Sequence, residues 1–208
     1  MKRLMLMLTL LLACMTPALA EEDPGLALDR ILAELEHSAA GIETLASDFV
    51  QEKHLEMFRE TLVSRGRFYF ARPDKLRWEM TEPVASGFLL NGDSGSRWHE
   101  RAGAAVPFDI AREPGMQLIA QQLLAWARVD IVWLVRQYRM TLVSEQPVTL
   151  KLVPLQAGAE QFVEYLQIGF DAERRYVETV EVHEPGGDST RISFAGTELN
   201  QPLDPALF

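Results

Sequence analysis

The chain has 208 residues, 48% hydrophobic and 24% charged, with a formal charge of −10 and one cysteine. An acidic balance argues against nucleic acid or an anionic bilayer surface as the main partner, because both reward a basic face. A single cysteine excludes an internal disulfide framework, so the fold must rest on its hydrophobic core.

The first twenty residues read as a secretory signal peptide. Lys2 and Arg3 form a positive start, Leu4 to Ala13 is apolar apart from Thr9, and Ala18-Leu19-Ala20 fits a small-x-small cleavage site. The run is too short and wrongly flanked for a membrane anchor. Leu11-Leu12-Ala13-Cys14 offers a competing reading, a lipobox with Cys14 as a lipidated N-terminus. With cleavage after Ala20 the mature chain starts near Glu21, has no cysteine and carries −12. Residues 21–208 are ample for one exported, periplasmic domain.

Pro24 to about Gly41 has helical spacing at Leu28, Ile31, Leu32 and Leu35, with Gly41 as a stop. Leu45 to around Phe58 reads as a first strand. Ser64 to Pro83 then carries two strand-like runs around an Ala71-Arg72-Pro73-Asp74 corner. In the first run Leu62, Ser64, Gly66, Phe68 and Phe70 share one face. In the second, Leu76, Trp78 and Met80 alternate with Lys75, Arg77 and Glu79. This is the period of a half-buried antiparallel pair. Arg72 falls on the parity of Phe68 and Phe70, and Pro73 favours an extended conformation for it. Its guanidinium is either a strand-end cation snorkelling to water or a polar group at the mouth of an apolar cavity. Ser86 to Leu90 reads as a fourth strand, Asn91-Gly92 as a hairpin turn, and a strand with Arg97 and Trp98 returns from it.

Pro107 to Tyr138 changes period. Met116, Ile119, Ala120, Leu123 and Ala127 have helical spacing, yet Leu118, Leu124 and Trp126 make the other side apolar too. Asp130 caps a second short helix, Ile131 to Tyr138, carrying Trp133 and Leu134. A helical segment apolar nearly all round is buried on more than one side or bears a binding surface. Five strands follow: Arg139 to Ser144, Val148 to Pro154, Phe162 to Phe170, Tyr176 to His183 and Thr190 to Ala195. They form an antiparallel meander, and the irregular tail docks through Leu207 and Phe208. So many sequential strands favour a mainly β fold with some helix. The expected form is a strongly curved sheet or an incomplete antiparallel barrel, with the helices across its open side.

Catalytic and metal motifs do not emerge. His37, His54, His99 and His183 lie in no HExxH or similar pair, and no G-x-S-x-G elbow, Walker loop or dinucleotide glycine pattern occurs. Glu79 and Glu82 are too ordinary among 30 acidic residues to count as an acid/base pair. No enzyme, cofactor or metal ion is expected.

The order of features resembles the bacterial periplasmic lipoprotein carriers of the LolA type. The resemblance rests on the exported start, the first helix, Ser47-Asp48-Phe49-Val50-Gln51 and Ser64-Arg65-Gly66-Arg67-Phe68-Tyr69-Phe70. Arg72-Pro73, Leu76-Arg77-Trp78-Glu79, Pro83 and the Asn91-Gly92 turn with Trp98 complete it. It implies a half-open β-barrel whose helical lid covers an apolar cavity for the acyl chains of lipoproteins. The cargo passes from an inner-membrane release complex to an outer-membrane receptor, and the carrier is expected to be monomeric. Arg72 matches the family's lid-latching arginine, and Trp78 its cavity-side tryptophan. The expected cavity residues are Phe49, Phe68, Phe70, Leu76, Trp78 and Met80 from the sheet, with Met116, Ile119, Leu123, Trp126 and Trp133 from the lid. The departures between Arg101 and Pro114 and the apolar-rich lid leave two alternatives, another lipid cargo or a lipoprotein-sensing interaction domain of the same fold.

Overall fold

A computed structural model describes residues 23–208. The signal peptide, its cleavage site and Cys14 lie outside the described residues. Helix α1 (Pro24–Ala39) starts where Asp23 accepts a hydrogen bond from the Gly25 amide at 2.8 Å with Pro24 in the first turn. It buries Ala27, Ile31, Leu35 and Ala39, one stripe at four-residue spacing.

Eleven strands form one antiparallel sheet. In chain order they are β1 (Thr44–His54), β2 (Leu62–Ala71), β3 (Lys75–Glu82), β4 (Ser86–Asn91), β5 (Ser94–His99) and β6 (Val106–Asp109), then β7 (Tyr138–Glu145), β8 (Val148–Pro154), β9 (Tyr165–Phe170), β10 (Val177–His183) and β11 (Ser189–Leu199). Their spatial order is β6-β5-β4-β3-β2-β1-β11-β10-β9-β8-β7. The first and last strands therefore pair in the middle, and β6 and β7 are the two free edges. A sheet this wide curls under its own twist. Register shifts at Ala46/Asp48, Arg65/Gly66, Leu142/Ser144 and Val177/Thr179 add local bends. The result is the half-open sheet expected from the strand count.

The alternation expected for the β2–β3 hairpin holds. Phe68 and Phe70 are buried while Arg65 and Arg67 are exposed, and Leu76 and Trp78 are buried in β3. Gly66 faces inward, where a Cβ would lie 2.4 Å from the Phe49 ring. Its missing side chain lets that cross-strand ring lie flat on the sheet.

Five boundaries differ clearly from expectation: β9 starts at Tyr165 and not at Phe162, β11 runs on to Leu199 beyond Ala195, and three more lie before these in the chain. The first strand ends at His54, and Met57 and Phe58 are exposed in the connection. The helical segment begins at Pro114, and residues 106–109 form β6, a four-residue edge strand whose Phe108 packs over Gly95. The two-residue hairpin turn after β4 is Gly92-Asp93, with Gly92 at φ 64°, one residue beyond the Asn91-Gly92 expected.

Helices α2 (Pro114–Arg128) and α3 (Ile131–Gln137) connect β6 to β7, the two unpaired edges. The chain itself therefore carries the helices across the opening. Asp130 caps α3, accepting a hydrogen bond from the Trp133 amide at 2.9 Å. The tail returns to the outer face of β3, where Arg77 donates to the Leu207 carbonyl and the Lys75 ammonium lies 5.8 Å from the Phe208 ring centre.

Candidate functional site

The inner face of the sheet carries an aromatic cluster. Phe49 stacks on Trp78 at 4.1 Å, and Phe68 and Phe194 close round them at 5.8–6.3 Å. Helix α2 covers this face. Its stretch Leu123 to Ala127 is buried without a break, so it packs on more than one side. The same helix leaves Leu118 and Ile119 exposed, 61% and 47%. The helix is thus buried on more than one side along one stretch and leaves apolar side chains exposed along another.

Between the sheet and α2–α3 lies a cavity of about 450 Å³. Trp78 and Phe88 wall it from β3 and β4, with Leu166, Val182 and Ile192 from β9, β10 and β11. Ile119, Leu123, Trp126 and Trp133 wall it from the helices, and Phe162 and Val163 from the turn before β9. Its polar lining consists of Gln122, Gln137, Tyr138 and Gln156, and no charged side chain lines it among the described residues. A volume inside the roughly 300–1,000 Å³ of small-molecule sites, with apolar walls and a few neutral polar groups, suits a neutral hydrophobic guest. A smaller crevice beside it is lined by Phe68, Leu123, Trp126, Tyr176 and Phe194.

The structure thus brings Trp78, Ile119, Leu123, Trp126 and Trp133 together on the main cavity and Phe68 on the crevice. Phe49, Phe70, Leu76, Met80 and Met116 line neither space. Phe49, Phe70 and Leu76 are all but fully buried in the core, and Met80 and Met116 pack against it. Parity placed the sheet residues on the inner face, but the helices already cover part of that face. Phe88, Phe162 and Phe194 were not singled out from the sequence. Phe88 and Phe194 sit on the inner parity of β4 and β11, opposite Trp78 and Phe49, which is a readable signal. Phe162, expected at the start of a strand, lies instead in the turn before β9, where no period applies.

Arg72 sits at the β2–β3 corner. Its Nε donates to the Ile42 carbonyl at 2.5 Å, and its amide donates to the Glu43 carbonyl at 2.9 Å. Among the described residues its hydrogen bonds go to the α1–β1 connection and not to α2 or α3. Helix α1 in turn approaches α3. Tyr138, at the start of β7, donates to Gln122 Oε1 at 2.5 Å. Burial pushes its phenol up to about 12, because the phenolate would lose its hydration. Among the described residues no cluster of three or more His, Cys, Asp or Glu is placed to hold a metal ion, and no helix is long and apolar enough to cross a membrane.

Comparison with known proteins agrees with this architecture. An outer-membrane lipoprotein carrier protein of Methylococcus capsulatus is 29% identical over 175 residues, covering 79% of this chain and 76% of the relative. One from Chromobacterium violaceum is 27% identical over 177 residues, covering 85% and 81%. Among solved structures, MucB superposes with a TM-score of 0.54 at 14% identity, over 88% of this chain and 62% of MucB. An uncharacterized conserved protein from Thermus thermophilus superposes with 0.54 at 9% identity, over 87% and 92%. At such identities these two likenesses concern the fold alone. The family described as outer membrane lipoprotein carrier protein LolA matches residues 40–208, from the end of α1 to the last residue. A match of that extent, over a half-open sheet with helices across its open side, means that this chain belongs to the LolA family, whose carriers are non-enzymatic.

Proposed function

We propose that this protein is a periplasmic carrier that takes the acyl chains of lipoproteins into the cavity beneath α2 and α3 and shuttles them from the inner to the outer membrane. The observation that carries the reading is the cavity of about 450 Å³, walled by apolar side chains and free of charged ones among the described residues. That volume equals about fifteen parcels of roughly 30 Å³, the share of one water in the liquid and close to that of a methylene group. One acyl chain of ordinary length fills it. A cargo with two or three chains requires α2 and α3 to move outward. Burial contributes about 0.8 kcal/mol per methylene, so one chain supplies roughly 10 kcal/mol. A carrier must also let go, and the return of α2 and α3 over the empty sheet competes with the cargo for the same apolar faces.

In this reading Arg72 sets part of that balance indirectly. It holds the α1–β1 connection through Ile42, and α1 touches α3. The family's carriers hand cargo from an inner-membrane complex to an outer-membrane receptor, and the proposal assigns the same two partners here, with the protein a monomer exported by its signal peptide.

The test is mass spectrometry of what copurifies with the protein from the periplasm. Acylated N-terminal peptides, depleted when Trp126 is replaced by Asp, support the reading. Repeated preparations with no acylated species overturn it.

A further inference from the structure

The walls of the main cavity divide by exposure. Trp78, Leu123, Trp126, Leu166 and Ile192 are buried and form its depth. The exposed lining residues, among those described, are Leu118, Ile119, Gln156 and Phe162, and they come from two segments only. Leu118 and Ile119 sit in the N-terminal half of α2. Gln156 and Phe162 sit in the connection between β8 and β9, residues 155–164. A side chain that borders the cavity and also meets solvent marks its mouth, so the cavity opens between these two segments.

The mouth is apolar. Phe162 is 74% exposed there, beside the exposed Leu118 and Ile119. Scattered exposed apolar residues are ordinary, but three at one opening call for a cause. On α2, Ile119 and Leu123 are one turn apart, the first exposed and the second buried, so apolar surface runs from solvent into the cavity. The β8–β9 connection is held only at its ends. The Leu155 amide donates to the Gln137 carbonyl and the Glu164 amide to the His183 carbonyl, whereas the backbone bonds of Ala159, Gln161, Phe162 and Val163 stay within the connection. It can swing aside without breaking the sheet.

We propose that an acyl chain enters and leaves the cavity between the N-terminal half of α2 and the β8–β9 connection, across a ledge of Leu118, Ile119 and Phe162. The inference rests on the acyl-carrier reading and adds the route to it. A chain lying on the ledge is already partly out of water when it crosses into the cavity, so the ledge lowers the barrier in both directions. It contributes little once the chain is seated, because its side chains stay largely in solvent. The ledge therefore acts on rates and not on affinity.

The test separates the two. Binding of an acylated peptide brominated in mid-chain to the purified mature protein is followed by stopped-flow quenching of tryptophan emission, and release by chasing with an excess of the same peptide without bromine. In Phe162→Ser and in the double variant Leu118→Ser/Ile119→Ser, both rates are expected to fall by about tenfold while Kd stays within about threefold, the effect of removing a large apolar contact from the crossing alone. Met57→Ser/Phe58→Ser removes an exposed apolar pair that lines neither space and should leave both rates unchanged. Unchanged rates in the ledge variants, faster release with unaltered association, or equal slowing in Met57→Ser/Phe58→Ser overturn the route while leaving the carrier reading intact. Failure of the wild type to bind the peptide overturns the carrier reading and this inference with it.

Discussion

At the scale of single residues, Arg72 and Tyr138 make distinct claims. Replacing Arg72 by Leu removes a charge-assisted hydrogen bond to the Ile42 carbonyl. Such bonds contribute about 1.5–3 kcal/mol, a fraction of the roughly 5–15 kcal/mol that stabilises a typical domain. The variant should fold, with a lower melting temperature, and should pass an acylated lipoprotein between donor and acceptor membranes less completely than the wild type; unchanged transfer would remove Arg72 from the release mechanism. The position of Arg72 at the corner between β2 and β3 was legible, because Ala71-Arg72-Pro73-Asp74 breaks the alternation of the two strands. Its partner was not, because Ile42 is thirty residues away and only the folded chain brings the α1–β1 connection to the corner. Tyr138 bears on pH. Its phenol is raised to about 12 from the usual 10 by burial. Between these values the unfolded chain has lost the proton that the folded chain retains, so stability falls as pH rises through that window and is fully present below it. An ultraviolet titration should show a tyrosine step at about pH 12. In Tyr138→Phe that step should be gone.

At the scale of elements, the helical insert decides what the sheet can hold. Its two helices meet at Val129, a β-branched residue at φ 50° and ψ 50°, immediately followed by the capping residue Asp130. Left-handed backbone at such a residue costs about 1–2 kcal/mol. Asp130 offsets that cost locally by satisfying the Trp133 amide. Asp130→Ala should destabilise α3 by about 0.5–2 kcal/mol. Hydrogen exchange of the α3 amides should quicken by about tenfold while β1 and β11, at the centre of the sheet, keep their protection. Equal acceleration throughout would mean that α3 does not open separately. The cap was readable in the sequence, as was the change of period near it. The edge strand β6 was not. It has four residues, one of them Pro107, and its register comes from Phe108 seating over Gly95 in the neighbouring strand. Nor does the sequence separate core from cavity. Phe70 and Trp78 have the same parity and similar chemistry, yet Phe70 is wholly buried and Trp78 borders the cavity. The difference lies in where α2 rests on the sheet, a tertiary fact with no local pattern.

At the scale of the whole molecule, the topology explains the function proposed for it. Pairing β1 with β11 places both ends of the chain's strand series in the middle of the sheet and leaves β6 and β7 as edges. The link between those edges must cross the opening, and here that link is apolar on nearly every side. The outer face of the same sheet is polar, with Arg67 paired to Asp48 and Arg191 to Glu181. A particle that is charged outside and apolar within, and whose cover is part of its own chain, is suited to moving hydrocarbon through water. The four tryptophans allow the central claim to be tested directly. Trp78, Trp126 and Trp133 border the cavity, whereas Trp98 lies on the outer face beneath the Arg77 guanidinium, 4.6 Å away. The measurement is quenching of tryptophan emission by an acylated peptide brominated in mid-chain, in the wild type and in Trp98→Phe. Occupation of the cavity predicts strong, saturable quenching that is undiminished in Trp98→Phe. Quenching that does not saturate, or that disappears with Trp98, would contradict an acyl-binding cavity beneath the helices.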